Sequence, residues 1–293
     1  MGTRMSLITL LLTLSFLPLG AQDWERIKSD PGVVWGEGWG TSVAEADREA
    51  LASLSSRISV GVTGDFRSLE EQRTGPSGTA YSSVRSSRLR TVTSTTLSNT
   101  GRVVLKGGRK AHVGRWIGRS ELEGLFADRE RRLLDYEASA LQAEREARPG
   151  DALRYHYWAY ILLRSLQRPS ELRDGDGRML LNTIPERMNG ILRDLAVTAE
   201  KDRDRLILSF RFRGRPAESL TFSCFGGAGW SLPTEVRGGR AEVGLAPGAP
   251  AEIVQLRIEY EYASDAAIDG ELSDLLSVAD TRPLKKANII FRR

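Results

Sequence analysis

The stretch VVWGEGWGTSVAEADREALASL, Val33–Leu54, sets three glycines at alternate positions directly before a helix-forming segment. Val33, Val34 and Trp35 make a short β run. Gly36, Gly38 and Gly40 have the spacing G-x-G-x-G, whereas a dinucleotide loop needs G-x-G-x-x-G inside a parallel βαβ unit. Glu37 between the glycines would repel a phosphate. The glycines are therefore read as letting the strand end and turn closely beneath Trp35 or Trp39 into a packed helix. Ser42 and Glu45 are spaced as a capping box. Val43, Ala46, Ala50, Leu51, Leu54 and Ile58 fall on one helical face, with Asp47, Arg48 and Glu49 off it.

Outward from that helix, Ile58, Val60 and Val62 alternate with small or polar residues and predict a strand. Tyr81 to Leu97 is rich in Ser, Thr and Val, which predicts extended chain. Arg102 to Leu105 and Lys110 to Ile117 predict a hairpin about Gly107-Gly108. The expectation for residues 32–119 is one helix on a mostly antiparallel sheet, in the order β-α-β-β-β. From Ser120 the pattern becomes helical, with a second capping box at Glu123. Helices over Ser120 to about Ala147 and Ala152 to Leu166, joined at Pro149-Gly150, predict an antiparallel hairpin. A third helix is expected from Pro185 to Leu195, so residues 120–195 read as a helical spacer. Beyond Ala196 the period changes to two, as in Leu206, Leu208, Phe210 and Phe212. Residues 196–293 read as a β-sandwich-like, immunoglobulin-like domain, with a short helix over Ala267 to Val278 before the last strand. The fold class expected is α+β.

Residues 1–22 resemble a secretory signal: Arg4, then the uncharged apolar run SLITLLLTLSFLPLG, then Ala21-Gln22 near a cut site. A retained anchor is the alternative, although the run is short for a bilayer span of about 20 residues. Trp24 to Pro31 then reads as a leader. Cys224 is the single cysteine, so no internal disulfide forms and packing alone must hold the domains. Its apolar surroundings predict a buried, inert thiol.

No catalytic, cofactor or metal site is expected. Asp174-Gly175-Asp176-Gly177 fails as a calcium loop, because Arg178 and Met179 occupy the fifth and sixth positions. His112 and His156, the two histidines, lack partners at metal spacing, and His156 reads as a satisfied, partly buried side chain. Carboxylates between Glu121 and Glu146 alternate with arginines and read as a solvated face. Tyr155, Tyr157, Trp158 and Tyr160 crowd one helix, either as packing between domains or as a partner groove. Between Gln72 and Arg119 no acidic residue occurs and ten basic ones do. Arg85, Arg88, Arg90, Lys106, Arg109 and Lys110 are the candidate patch for an anionic partner; the alternative is that these charges pair with the acidic helix after Ser120. An anionic polymer or lipid headgroup would suit the patch. Nucleic acid is not expected, because the chain reads as exported and few aromatics interleave with the cations.

Gly36-Glu37-Gly38, Ala44-Glu45-Ala46-Asp47, Ala50-Leu51, Ile58 and Trp116-Ile117-Gly118-Arg119 together make Val33 to Glu121 resemble the Lpp-twenty family of bacterial envelope lipoproteins. The flagellar T protein carries a similar domain. The resemblance implies a non-enzymatic, outer-membrane-associated protein that helps assemble or brace envelope structures. No lipobox cysteine is present, so the implied member is soluble in the periplasm or held by an envelope protein partner. An envelope hydrolase is the competing class; it requires a nucleophile or metal in a polar cleft, and none assembles from the sequence.

Overall fold

In a computed structural model the described residues are 19–73, 97, 100–202, 205–225, 229–244, 253–278 and 288–292. The chain is α+β. It divides into two compact units, residues 1–54 with 100–119 and residues 55–99 with 120–293.

The first unit is built on a three-stranded antiparallel sheet of β1 (Val33–Gly40), β3 (Ala111–Gly118) and β2 (Gly101–Lys106), with β3 in the centre. The strand does not end at the glycines, as the sequence suggested, but runs through them to Gly40. Their role is to admit a helix. A Cβ on Gly36 would lie 2.3 Å from the Leu54 backbone nitrogen, and one on Gly38 2.2 Å from the Ala46 carbonyl. Helix α2 (Val43–Arg73) thus lies directly on the glycine face, and Ala46 and Ala50 meet Ala111 and Val113 with no exposed surface. Small residues on both sides let two backbones approach where larger side chains would hold them apart. The helix begins as expected: Ser42 Oγ accepts from the Glu45 amide at 3.2 Å. The Glu45 carboxylate reaches one residue further back than a standard box and accepts from the Thr41 amide at 2.8 Å. Glu49 accepts from the Trp39 amide at 2.9 Å. Together these carboxylates occupy outward amides at the end of β1, an edge strand.

Two expectations are corrected here. The alternation at Ile58, Val60 and Val62 does not make a strand, because α2 continues without a break to Arg73. Ile58 follows Ala46, Ala50 and Leu54 at intervals of four, and that stripe outweighs the short alternation. The leader is a helix, α1 (Leu19–Ser29). Its Trp24 is buried on the opposite sheet face, against Gly114 and between Trp35 and Trp116, with ring centroids at 5.9 and 6.1 Å. The expected strand over Tyr81 to Leu97 lies outside the described residues apart from Leu97, as do residues 1–18 of the expected signal. Among the described residues no helix is long and apolar enough to cross a membrane.

The second unit joins what the sequence separated. Helices α3 (Arg119–Arg145) and α4 (Pro149–Arg164) form the expected antiparallel hairpin, shown by the pairs Tyr136–Tyr155, Glu137–His156 and Arg129–Ser165. α5 (Leu180–Arg193) starts five residues before the expected Pro185, which lies inside it. Buried Leu180, Leu181 and Ile184 continue the stripe of Met188 and Ile191 back past the proline. α4 is buried on nearly every side, as a central helix must be. It is not a spacer: the Ser219 hydroxyl accepts from the Asp151 amide at 3.1 Å, and Trp158 Nε1 donates to the Glu261 carbonyl at 2.9 Å.

Two four-stranded antiparallel sheets complete this unit. One has β4 (Leu195–Asp202) beside β5 (Arg205–Phe212), which pairs in turn with β6 (Arg215–Pro216) and β9 (Arg240–Gly244). The other has the order β11 (Asn288–Arg292), β10 (Ile253–Ile258), β7 (Thr221–Phe225) and β8 (Thr234–Glu235). Phe210 of the first meets Phe222 of the second at 5.1 Å, the alternating apolar rows having turned inward. Helix α6 (Gly270–Val278) precedes β11, as the sequence predicted.

Candidate functional site

The candidate surface lies at one end of the first sheet. Trp39 of β1, His112 of β3 and Lys106 of β2 are register partners, so they form one row across three strands. The Trp39 and His112 rings stack, with centroids 4.6 Å apart and planes 12° from parallel. Trp39 is nevertheless 55% exposed, unusual for so large an apolar side chain. A bulge between Val104 and Lys106 ends the regular pairing, and the chain turns tightly through Gly107 and the 3-10 segment Gly108–Lys110. Lys106, Arg109 and Lys110 are all exposed on that turn. Among the described residues no carboxylate pairs with them.

Behind the row sits Glu37, two residues earlier on β1. Its Oε1 accepts from Trp24 Nε1 at 2.6 Å and lies 3.6 Å from Lys28 Nζ. The same oxygen is 3.6 Å from His112 Nε2, which is buried and makes no hydrogen bond.

Of the six basic residues singled out in the sequence, the structure brings together Lys106, Arg109 and Lys110; Arg85, Arg88 and Arg90 lie outside the described residues. Two other members of the basic stretch are internally paired, with α2 rather than with the helix after Ser120. Arg115 grips Asp47 with two hydrogen bonds of 2.8 and 2.9 Å, and Arg102 adds one of 3.1 Å. The Arg115 guanidinium in particular holds the Asp47 carboxyl below its usual range.

The second unit contains charged chemistry that the sequence reading placed in solvent. His156 is fully buried, with Nδ1 at 2.7 Å from Glu137 and Nε2 at 3.0 Å from Glu144. Arg187 bonds Glu137 and reaches Asp174 at 3.2 Å, while Arg213 bonds both Glu144 and Asp194 at 2.9 Å. Burial pulls the His156 pKa down, but the two carboxylates outweigh it and hold the imidazole above its ordinary value. An imidazolium with both nitrogens donating has no lone pair for general-base work. The expectation of a satisfied histidine holds, with the side chain wholly rather than partly buried.

Arg129 is 1% exposed and donates to Glu271 at 2.6 Å and to the Ser165 carbonyl at 3.1 Å. Arg132 joins Asp269 at 2.7 Å and also bonds Glu271. Four charges of α3, at Arg129, Arg132, Glu137 and Glu144, thus turn inward into ties with neighbouring elements, while Glu121, Glu123, Asp128, Glu130, Arg131, Asp135 and Arg145 form the solvated face that the sequence predicted. The signal was legible: Leu122, Phe126, Arg129, Leu133, Glu137 and Ala140 recur at intervals of three and four.

The aromatic groove is corrected too. Tyr157, Trp158 and Tyr160 are buried, Tyr157 against Tyr260 at 5.1 Å, and half-buried Tyr155 stacks on Tyr136. The Asp174 loop is a turn in which one carboxylate oxygen accepts from the amides of Asp176 and Arg178. Burial pushes the Cys224 thiol up, in keeping with an inert side chain. A groove of about 330 Å3 lies over Phe126, Leu166 and Leu172, with Glu123, Glu130 and Glu171 at its margin.

Comparison of the chain with protein-family models, with curated proteins and with solved structures gives no match.

Proposed function

We propose that this chain is a non-enzymatic, exported protein of the cell envelope that docks a partner through the open end of its first sheet. The observation that carries this reading is the exposed turn of Lys106, Arg109 and Lys110 beside the solvent-facing indole of Trp39. Elsewhere in the described structure, arginines at Asp47, Glu137, Glu144 and Glu271 are spent on internal carboxylates. Charges with no carboxylate partner among the described residues are available to something outside the molecule.

The signal-like residues 1–22 support export. The Lpp-twenty resemblance supports a periplasmic or outer-membrane-associated setting and a role in assembling or bracing envelope structures. In this reading the facing sheets of the second unit form a sandwich-like domain that offers a second binding surface. The exposed cations also favour a second reading, in which the partner is an anionic envelope polymer or lipid headgroup rather than a protein.

The test compares the full chain with a Lys106→Glu, Arg109→Glu, Lys110→Glu variant. Capture from an envelope extract and retention on an anionic column should both fall in the variant. Retention of the unaltered chain should weaken as salt rises. Melting temperature should stay within about 2 °C, because exposed charges contribute little to stability. Capture and retention unaffected by the reversal would overturn the proposal.

A further inference from the structure

We infer that the end of the first sheet carrying Trp39 and the Lys106–Lys110 turn is a contact for an anionic phospholipid surface, with the indole seated among the headgroups and the cations over their phosphates. This deepens the reading of that end as a docking surface and rests on it.

The geometry starts from the stack. Neighbouring strands lie about 4.8 Å apart, and the Trp39 and His112 ring centroids lie 4.6 Å apart with planes 12° from parallel. Rings stacked across that gap stand up from the sheet. His112 covers the indole face turned toward β3 and Lys106. β1 is an edge strand, so the other face looks outward past the sheet. The indole is 55% exposed. Backed on one side and open on the other, it is an upright post at the end of the sheet.

Cations border that post. Lys106 lies in its row two strands away, about 10 Å across the sheet. Lys110 directly precedes Ala111, the register partner of Gly40, and Arg109 stands beside it on the exposed turn. The nearby carboxylates are engaged elsewhere: Glu37 with Trp24 and Lys28, Glu49 with the Trp39 amide and Glu45 with the Thr41 amide. The combination of groups selects the anion. The core of a protein interface favours tryptophan but is depleted of lysine, and here two lysines border the indole. A single-stranded nucleic acid stacks on successive aromatic rings, whereas this ring has one open face. A bilayer surface suits what is present. Tryptophan, apolar in body and polar at its N–H, settles at headgroup level. Lysine and arginine are drawn to anionic lipids, and their stems lie along apolar surface while their heads stay wet.

The experiment measures co-sedimentation of the full chain with vesicles of phosphatidylcholine alone and of phosphatidylcholine mixed with phosphatidylglycerol, with poly(dT) as a polyanion that has no headgroup layer. Binding should require phosphatidylglycerol and weaken as salt rises. Lys106→Ala, Arg109→Ala and Lys110→Ala should each weaken it about fivefold, the scale of one basic residue at an anionic surface. Trp39→Ala should weaken vesicle binding severalfold and leave poly(dT) unchanged. Trp39→Tyr should retain more than Trp39→Leu, because tyrosine shares the two-ended character of tryptophan. On the unaltered chain, lipids brominated in their acyl chains should quench tryptophan fluorescence, and Trp39→Phe should abolish the quenching.

Absence of binding to the charged vesicles, or quenching that survives Trp39→Phe, overturns the inference. So does binding that ignores both the lipid charge and Trp39, since the apolar run within residues 1–22 would then account for it. If poly(dT) binds as tightly as the charged vesicles and Trp39→Ala alters neither, the cations act alone: the lipid contact fails while the docking surface stands. If the triple charge reversal leaves capture from envelope extract and column retention unchanged, the docking surface itself has failed.

Discussion

At the scale of single residues, His156 is an ionisable group enclosed within the second unit. Its ring is fully buried and held by Glu137 and Glu144, with Arg187 and Arg213 behind them. Its folded pKa is raised, so it contributes stability that is complete below its ordinary value of 6.5 and is lost as pH rises through the folded value. The Glu144 carboxyl behaves oppositely. Burial pushes its pKa up, but His156 and Arg213 outweigh that and hold it low. Its contribution is complete above the ordinary 4.5 and lost as pH falls through the folded value. Both contributions are therefore full between those two ordinary values. His156→Gln leaves two inward carboxylates short of a counter-charge and should cost about 3–5 kcal/mol at pH 5.5. Denaturant titrations of both proteins should show the difference shrinking as pH rises past the folded value. A difference that is flat from pH 5.5 to 9 would rule out a charged imidazole. The sequence showed His156 on a buried stripe but not its partners. Glu137 sits at core spacing, yet its charge, among alternating arginines, drew the reading toward solvent.

At the scale of elements, the fit of α2 on β1 depends on the absence of side chains. Gly38→Ala would force a Cβ to within 2.2 Å of the helix backbone. Neither backbone can yield without displacing the Ala46–Ala50 contact, so the cost should be at least about 3 kcal/mol, the upper range of core overpacking. Gly107→Ala, where a Cβ meets nothing within 4 Å, is the control and should change stability by less than about 0.5 kcal/mol. Unfolding free energies of the two variants measure the contrast; similar values would show that the helix can lift off the strand at little cost. The helix and its glycine partners were legible because Ala46, Ala50 and Leu54 recur every fourth residue. What could not be read was that the glycines lie under the helix rather than before it, since a close approach depends on what arrives from elsewhere. The limits of α5 were misplaced for a local reason. Pro185 looked like a first-turn residue, but the buried stripe extends back to Leu180.

At the scale of the whole chain, two compact units predict two calorimetric transitions, each answering to its own substitution. Gly38→Ala should move one, His156→Gln the other, and the double variant should show additive shifts to within about 0.5 kcal/mol. A single transition moved equally by both would show one cooperative body. The sequence divided the chain into three because the change of period at Ala196 is sharp. It undervalued α4, whose apolar residues on nearly every side call for neighbours all around, including the loops of the following sheets. One small arrangement at the margin of the first sheet affects how this molecule behaves in a crowd. Glu49 and Glu45 reach from α2 to the amides of Trp39 in β1 and of Thr41 just beyond it, so a second copy finds those two positions already filled by acceptors and guarded by negative charge. Any chain that approaches this end of β1 has to displace both carboxylates before it can pair there.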